Sequence, residues 1–231
     1  MKYQKVIPAT FVSRPNRFIA YVKVDDEIEV AHVKNTGRCR ELLVEGCTVY
    51  LSVSDNPARK TKYDLIAVEK QRQGIAPLAV NIDSQIANDV AGEWLRASDL
   101  FSPTAVIRRE VTWGVSRFDF YIEDGERKAF LEVKGVTLEH DGVAMFPDAP
   151  TERGVKHVGE LAACIRAGYE AYLLFVVQMK GAHLVRPHDA MHKAFGDALR
   201  DAARVGVNIL AVDCIVAPDS IVPDENLPIE L

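Results

Sequence analysis

The hydrophobic pattern changes its period at Ser84, and this change commits the chain to two differently built halves. Before Ser84 apolar and polar residues alternate in six short runs, at residues 6–12, 17–24, 28–33, 48–54, 63–69 and 78–82. A period of two is that of half-buried strands. Turn-forming clusters separate the runs: Arg14-Pro15-Asn16, Asp25-Asp26, Asn35-Thr36-Gly37 and Asp55-Asn56-Pro57. After Ser84 helical spacing enters. Ser84 is a candidate N-cap for a helix over residues 84–97, with Ile86, Val90, Trp94 and Leu95 near one face. Strands follow near 105–112, 117–122 and 127–134, then a helix over 151–167 stopped by Gly168. Residues 171–177 are continuously apolar, as in a strand covered on both faces. A third helix over 190–205, with Gly206 beyond it, precedes a last strand at 207–216.

Five or six short strands in about 80 residues imply a small β-barrel such as the OB-fold, which commonly binds oligonucleotides on one face. A brief helix at residues 38–43 would plug it. The order helix, three strands, helix, strand, helix, strand implies an α/β sandwich around a mixed sheet. The expected fold class is therefore a two-domain α/β (α+β) chain: an OB-fold-like domain over residues 1–83 and a mixed-sheet α/β domain over 84–217. The acidic, proline-containing residues 218–231 read as a loosely docked tail. No internal repeat is present.

The richest chemistry lies on two of the later strands. Ser116 to Ile122 and Arg127 to Lys134 alternate around Asp124-Gly125, a strong hairpin signal. Phe118, Phe120 and Ile122 are expected on one face, with Arg117, Asp119 and Tyr121 opposite Phe130, Glu132 and Lys134 on the other. Pairing Ile122 with Arg127 sets Asp119 against Phe130 and leaves Glu132 diagonal to Asp119. Converging carboxylates repel unless they share a cation. Magnesium suits one or two carboxylates plus water and substrate phosphate. A lysine beside them can orient or help deprotonate a water, or offset charge on a transferring phosphate. An Asp on one strand with Glu-x-Lys on the next is the PD-(D/E)XK pattern of restriction-endonuclease-like phosphodiesterases. The bland alternative is a solvated hairpin face with an Arg117–Glu132 salt bridge. On the following helix Arg153, Lys156, His157 and Glu160 share a side. Arg153 or Lys156 would hold a phosphate and His157 position a water; the alternative is a solvent-facing helix. Glu110, and more weakly Glu93, are candidates for a further carboxylate.

The chain has 231 residues and a net charge of −5, distributed unevenly. Residues 1–62 carry 11 Lys/Arg and 7 Asp/Glu, and the remainder 17 and 26, so the first part is +4 and the rest −9. Basic residues gather at the N-terminal turns and strand ends: Arg14, Arg17, Lys34, Arg38, Arg40, Arg59, Lys60 and Lys62. They fit a groove that holds phosphates without reading sequence, with Phe18, Tyr21 or Tyr63 to stack bases; solubilising charge is the plain alternative. Such binding is salt-dependent. No apolar run reaches membrane-spanning length. The four cysteines lack Cys-x-x-Cys spacing and read as small core residues in a reducing cytoplasm.

Several stretches resemble the sugar fermentation stimulation protein A family. They are Arg14-Pro-Asn-Arg-Phe18, His32 through Leu43, Asp55-Asn-Pro57, Arg59 through Leu65 and Asn81-Ile-Asp-Ser84. Further along they are Ser116-Arg-Phe-Asp-Phe120, Leu131 through Thr137, Met145 through Gly154 and Lys156-His157. The resemblance spans nearly the whole chain. It implies a bacterial cytoplasmic protein that binds DNA without strong sequence preference and is associated with regulation of sugar, particularly maltose, metabolism. It also implies an OB-like domain followed by a restriction-endonuclease-like domain, with Asp119, Glu132 and Lys134 in the nuclease motif.

Three functions compete. The first is a nucleic-acid-binding phosphodiesterase dependent on Mg²⁺ or Mn²⁺, with metal on Asp119 and Glu132. The second is a non-catalytic DNA-binding regulator that keeps only the fold, acting at a promoter beside another transcription factor; no helix-turn-helix reader is evident. The third is a sugar-binding or sugar-converting protein, since paired carboxylates also serve glycosidases. Lys134 and the basic first part fit phosphates better than neutral sugars.

Overall fold

Alternation along residues 6–82 is realised as six strands: β1 (Val6–Asn16), β2 (Ile19–Val24), β3 (Glu27–Val33), β4 (Thr48–Val53), β5 (Tyr63–Arg72) and β6 (Ile75–Asn81). The structure, a computed structural model, describes residues 1–35, 37–72 and 74–231; Thr36 of the expected turn lies outside the described residues. β1 pairs antiparallel with both β2 and β4, β2 with β3, and β4 with β5. Parallel pairing of β3 with β5 at Ala31–Tyr63, His32–Asp64 and Val33–Leu65 closes the ring. That five-strand closure is OB topology, and closure removes the exposed edges an open sheet would leave. β6 adds to the outside of β5. The alternate residues Ala20, Val22, Ala31, Val33, Val49 and Leu51 point inward and are buried. In place of the expected helix at 38–43 there is a single turn, Leu43 N–H to Cys39 O. It nevertheless inserts Leu42 and Leu43 into the core.

The second half contains α1 (Ile86–Ala97), β7 (Val106–Trp113), β8 (Ser116–Asp124), β9 (Arg127–Val136), α2 (Glu152–Arg166), β12 (Glu170–Val177), α3 (Asp189–Arg204) and β14 (Asn208–Ala217). Between and after these lie β10 (Leu138–His140), β11 (Val143–Phe146), β13 (Leu184–Pro187) and β15 (Ser220–Asn226), which the period analysis does not predict. The main sheet runs β15-β14-β12-β9-β8-β7, with β9, β12 and β14 parallel and its two ends antiparallel. β12, the continuous apolar run, lies inside it and is buried from Ala171 to Val177. α1 covers one face and α2 the other. The C-terminal segment is not a loose tail: β15 pairs with β14, Ile221 is fully buried, and Arg186 binds Glu230.

One contiguous apolar cluster runs from the barrel into the α2 side of the main sheet. At the junction Asn81 N–H donates to Gln178 O at 3.0 Å. The Gln178 amide donates to Asn81 O, Asn81 Oδ1 and Asp83 O, each at 3.1 Å. Lys70 of the barrel pairs with Glu139 of β10 at 2.6 Å. Gly135 makes room here: a Cβ would stand 2.4 Å from Gln178 Oε1, and the buried amide would have to shift.

Candidate metal centre and nucleic-acid surface

The hairpin carrying the acids closes two residues tighter than expected. Asp124 pairs with Arg127, leaving a two-residue loop with Gly125 first, at φ +62°. Glycine at the first position of a two-residue loop suits the strand twist. Pairing then runs Ile122–Ala129 and Phe120–Leu131 and stops. The two-residue shift brings Asp119 to the level of Glu132 rather than diagonal to it. Beyond that point β8 and β9 part, and the side chain of Asp119 takes over from the ladder: its Oδ2 accepts the Val133 N–H at 2.7 Å. The alternation also breaks here. Phe120 and Ile122 pack on the α1 side, whereas Phe118 packs on the α2 side against Phe130 and His157. Opposite the break Glu110 sits at φ +58°, a conformation unfavourable for its side chain.

Asp119 is therefore held from two directions. Oδ1 accepts from the Asn88 amide of α1 at 2.7 Å, and Oδ2 from Val133. Glu132 is buried, and its Oε1 lies 2.5 Å from both Lys134 Nζ and His157 Nδ1. Arg153 Nε–H donates to His157 Nε2 at 3.3 Å, which leaves the Nδ1 proton to face Glu132. Glu132 Oε2 is buried with no hydrogen-bond partner. Burial pushes the Asp119 carboxyl up, and the charge of Glu132 adds to it. Burial would raise Glu132 as well, but His157 and Lys134 outweigh it and hold that carboxyl below the ordinary range. Two nearby acids are thus driven apart, one towards protonation and one towards the anion.

The donor set suits a hard divalent cation: carboxylate oxygens, one of them buried and orphaned, with Asp119 half-buried and open to solvent. The one three-acid cluster found among the described residues, Asp213, Asp224 and Glu225, is organised differently. Lys180 Nζ sits within 2.9 Å of Asp213, 2.5 Å of Asp224 and 3.0 Å of Glu225, so an ammonium already bridges the three acids. Two recesses adjoin residues that touch Glu132, and neither is lined by Asp119 or Glu132 themselves. Lys134 borders one of about 200 Å³ at the domain junction, and His157 borders one of about 420 Å³ beside the first turn of α2. A larger cavity of about 740 Å³, between α1 and β14–β15, contains none of the candidate residues.

The remaining candidates divide. Glu110 is exposed and binds Arg117 Nε at 2.7 Å, so it joins neither acid; the Arg117–Glu132 bridge of the alternative reading does not form, and Glu132 pairs with Lys134 and His157 instead. Glu93 binds the N-terminal ammonium. Arg14 is turned inward, donating to the carbonyls of Gly37, Arg38, Arg17 and Asn35. Lys34 lies between Asp64 and Asp83, and Arg59 grips Asp64 with two bonds. These three cations hold the barrel's loops together. Arg17, Arg38, Arg40, Lys60 and Lys62 are exposed. Arg17 stacks 4.7 Å over exposed Phe18, and Tyr21 is also exposed, whereas Tyr63 is buried and offers no stacking face. Arg153 and Lys156 are exposed on α2. Two partners escape the sequence reading: Asn88, one polar residue on an amphipathic helix, and Gln178, whose importance lies wholly in the domain junction.

Comparison with known proteins bears on the whole chain. Residues 12–76 match the family described as the SfsA N-terminal OB domain, and residues 85–220 the sugar fermentation stimulation protein RE domain. The chain is 53% identical over 231 residues to a sugar fermentation stimulation protein homolog of Desulfitobacterium hafniense, covering 100% of this chain and 99% of that one. It is 52% identical over 221 residues to the homolog of Clostridium beijerinckii, covering 96% of each. The solved structure of Pyrococcus furiosus SfsA in complex with Ca²⁺ is similar with a TM-score of 0.86 and 28% identity, covering 100% of this chain and 98% of that one. The closed barrel, the mixed sheet and these full-length matches agree, and the chain belongs to the sugar fermentation stimulation protein family.

Proposed function

We propose that this protein binds nucleic acid, DNA in the first instance, and cleaves its phosphodiester backbone with a divalent metal. The observation that carries the reading is the buried Glu132 carboxylate, whose Oε2 has no partner and whose charge acts on Asp119. A buried anion with an unsatisfied oxygen is costly, and a cation shared with Asp119 would remove the cost. Asp119 and Glu132 would hold Mg²⁺ or Mn²⁺; bound there, the metal supplies a Lewis acid and an activated water. The Ca²⁺ complex of the Pyrococcus protein supports a cation site in this fold.

The chain's own residues have separable tasks. Asn88 and the Val133 N–H fix the Asp119 carboxylate. His157 orients Glu132 and is itself fixed by Arg153. Lys134 brings a positive charge to the point where a transferring phosphate would be most negative. The exposed Arg17, Arg38, Arg40, Lys60 and Lys62, with Phe18 and Tyr21, would grip the strand by charge and stacking, mostly without sequence preference. The regulation of maltose metabolism implied by the resemblance would be exercised through this binding in the cytoplasm, beside another transcription factor.

The test is cleavage of labelled single- and double-stranded DNA and RNA with Mn²⁺, Mg²⁺ or chelator. Metal-dependent cleavage, lost at least a hundredfold in Asp119→Asn, is expected. Intact substrates under every condition would reject catalysis. A non-catalytic DNA-binding regulator is the second reading, favoured by Lys134, which already occupies one oxygen of Glu132. It requires binding that falls with salt and ignores the metal.

A further inference from the structure

The recess beside α2 is distinct from the acidic pair, and its chemistry is that of an anion site. Its walls bring Arg117 of β8 together with Arg153 and Lys156 of α2, against the single acid Glu152. Arg117 is tethered by Glu110 outside the recess. Arg153 and Lys156 make no salt bridge among the described residues; Arg153 leans on His157, and Lys156 reaches only the carbonyl of Val115 at 3.4 Å. The first turn of α2 adds the positive end of a 15-residue helix. The independent observation is Ser116. It lines the same recess, is 4% exposed, and its hydroxyl has no hydrogen-bond partner. Buried hydroxyls are almost always paired, so an orphan in a recess shared with Arg153 and Lys156, neither of them in a salt bridge among the described residues, points to a missing acceptor. A volume of about 420 Å³ exceeds what a lone ion needs and falls in the range of small-molecule sites.

We infer that Ser116, Arg117, Arg153 and Lys156 form a phosphate-binding subsite of the nucleic-acid strand, one step along the backbone from the metal site. This deepens the proposed function and rests on its reading of the acids for the word "subsite", but the phosphate affinity itself does not. The phosphate has two sources of the same chemistry, an internal diester or a terminal monoester. Through Arg153, His157 and Glu132 the subsite is joined to the acidic pair by an unbroken series of contacts. An occupied subsite would therefore set the strand's register against the scissile bond.

The experiment measures binding of fluorescent tetranucleotides to the full chain in chelator, where no cleavage occurs. Oligonucleotides with a 5′-phosphate, a 3′-phosphate or no terminal phosphate are compared. Arg153→Ala with Lys156→Ala is expected to weaken binding about tenfold. A gain of tenfold or more from one terminal phosphate, lost in this double variant, assigns the subsite to that end. Equal affinities that the variant lowers equally assign it to an internal diester. Ser116→Ala separates a ligand role from a structural one: deleting an unpartnered hydroxyl should keep or raise the melting temperature, yet weaken binding several-fold. Unchanged affinity for all three oligonucleotides in both variants would overturn the subsite. Loss of cleavage alone, with this binding intact, would count against the metal reading and not against the subsite.

Discussion

Glu132 concentrates the chemistry of this molecule in one side chain. One oxygen is shared between Lys134 and His157, the other has no partner, and the group is buried. A cation binding only the folded state stabilises it by about 2.7 kcal/mol at a hundred times its dissociation constant. Mn²⁺ should therefore raise the melting temperature of the wild-type protein, and Glu132→Gln should lose most of that rise. Glu110→Gln should leave the rise unchanged and cost under about 1 kcal/mol, because its pair with Arg117 lies at the surface. The Asp, Glu and Lys types and their spacing were legible in the sequence, since two alternating runs around Asp124-Gly125 set all three on neighbouring strands. Asn88 and Ser116 were not, since a lone amide on a helix and a serine opening a strand have no pattern of their own. Nor was the diversion of Arg14, Lys34 and Arg59 to carbonyls and to Asp64, because composition counts charges without showing what they touch.

At the scale of elements, the strands of the barrel were readable because a period-two pattern with turn residues between runs has one economical interpretation. The hairpin register was not. Asp124-Gly125 marks a turn, but whether Asp124 sits inside the loop or in the last pair shifts every contact by two residues, and the structure chooses the pair. The face change at Phe118 was likewise invisible, because alternation alone assumes an unbroken pleat, whereas β8 and β9 part where Asp119 takes the Val133 N–H. β10, β11 and β13 escaped because runs of three or four residues are too short to show a period. Gly135 is the penultimate residue of β9, where Gln178 crosses. Gly135→Ala would press a methyl into Gln178 Oε1 and disturb the bonds to Asn81 and Asp83. A loss of about 1–3 kcal/mol is expected from urea unfolding, with Gln178→Ala relieving the clash but losing the bonds.

The whole molecule depends on two domains sharing a core and a polar seam. Lys70 and Glu139 form the ion pair in that seam, and the Gly142 N–H also donates to Glu139. Burial would raise the Glu139 carboxyl, but Lys70 and Gly142 outweigh it and hold it below its ordinary value of 4.5. A depressed carboxyl contributes stability that is complete above the unfolded value and is lost as pH falls through the lower folded one. Acid unfolding below pH 4.5 should consequently be less steep in Lys70→Met than in wild type, as read by tryptophan fluorescence. The same seam holds the exposed cations of the barrel and the acids of the sheet on one docked body, as the proposed function requires.

The proposed function stands or falls on a divalent cation shared by Asp119 and Glu132. Crystals soaked in Mn²⁺ and measured at the manganese absorption edge test it directly. An anomalous peak is expected within coordination distance of both carboxylates, with Glu132 Oε2 as a ligand. A peak only at Asp213, Asp224 and Glu225, or none at a saturating concentration, would contradict it.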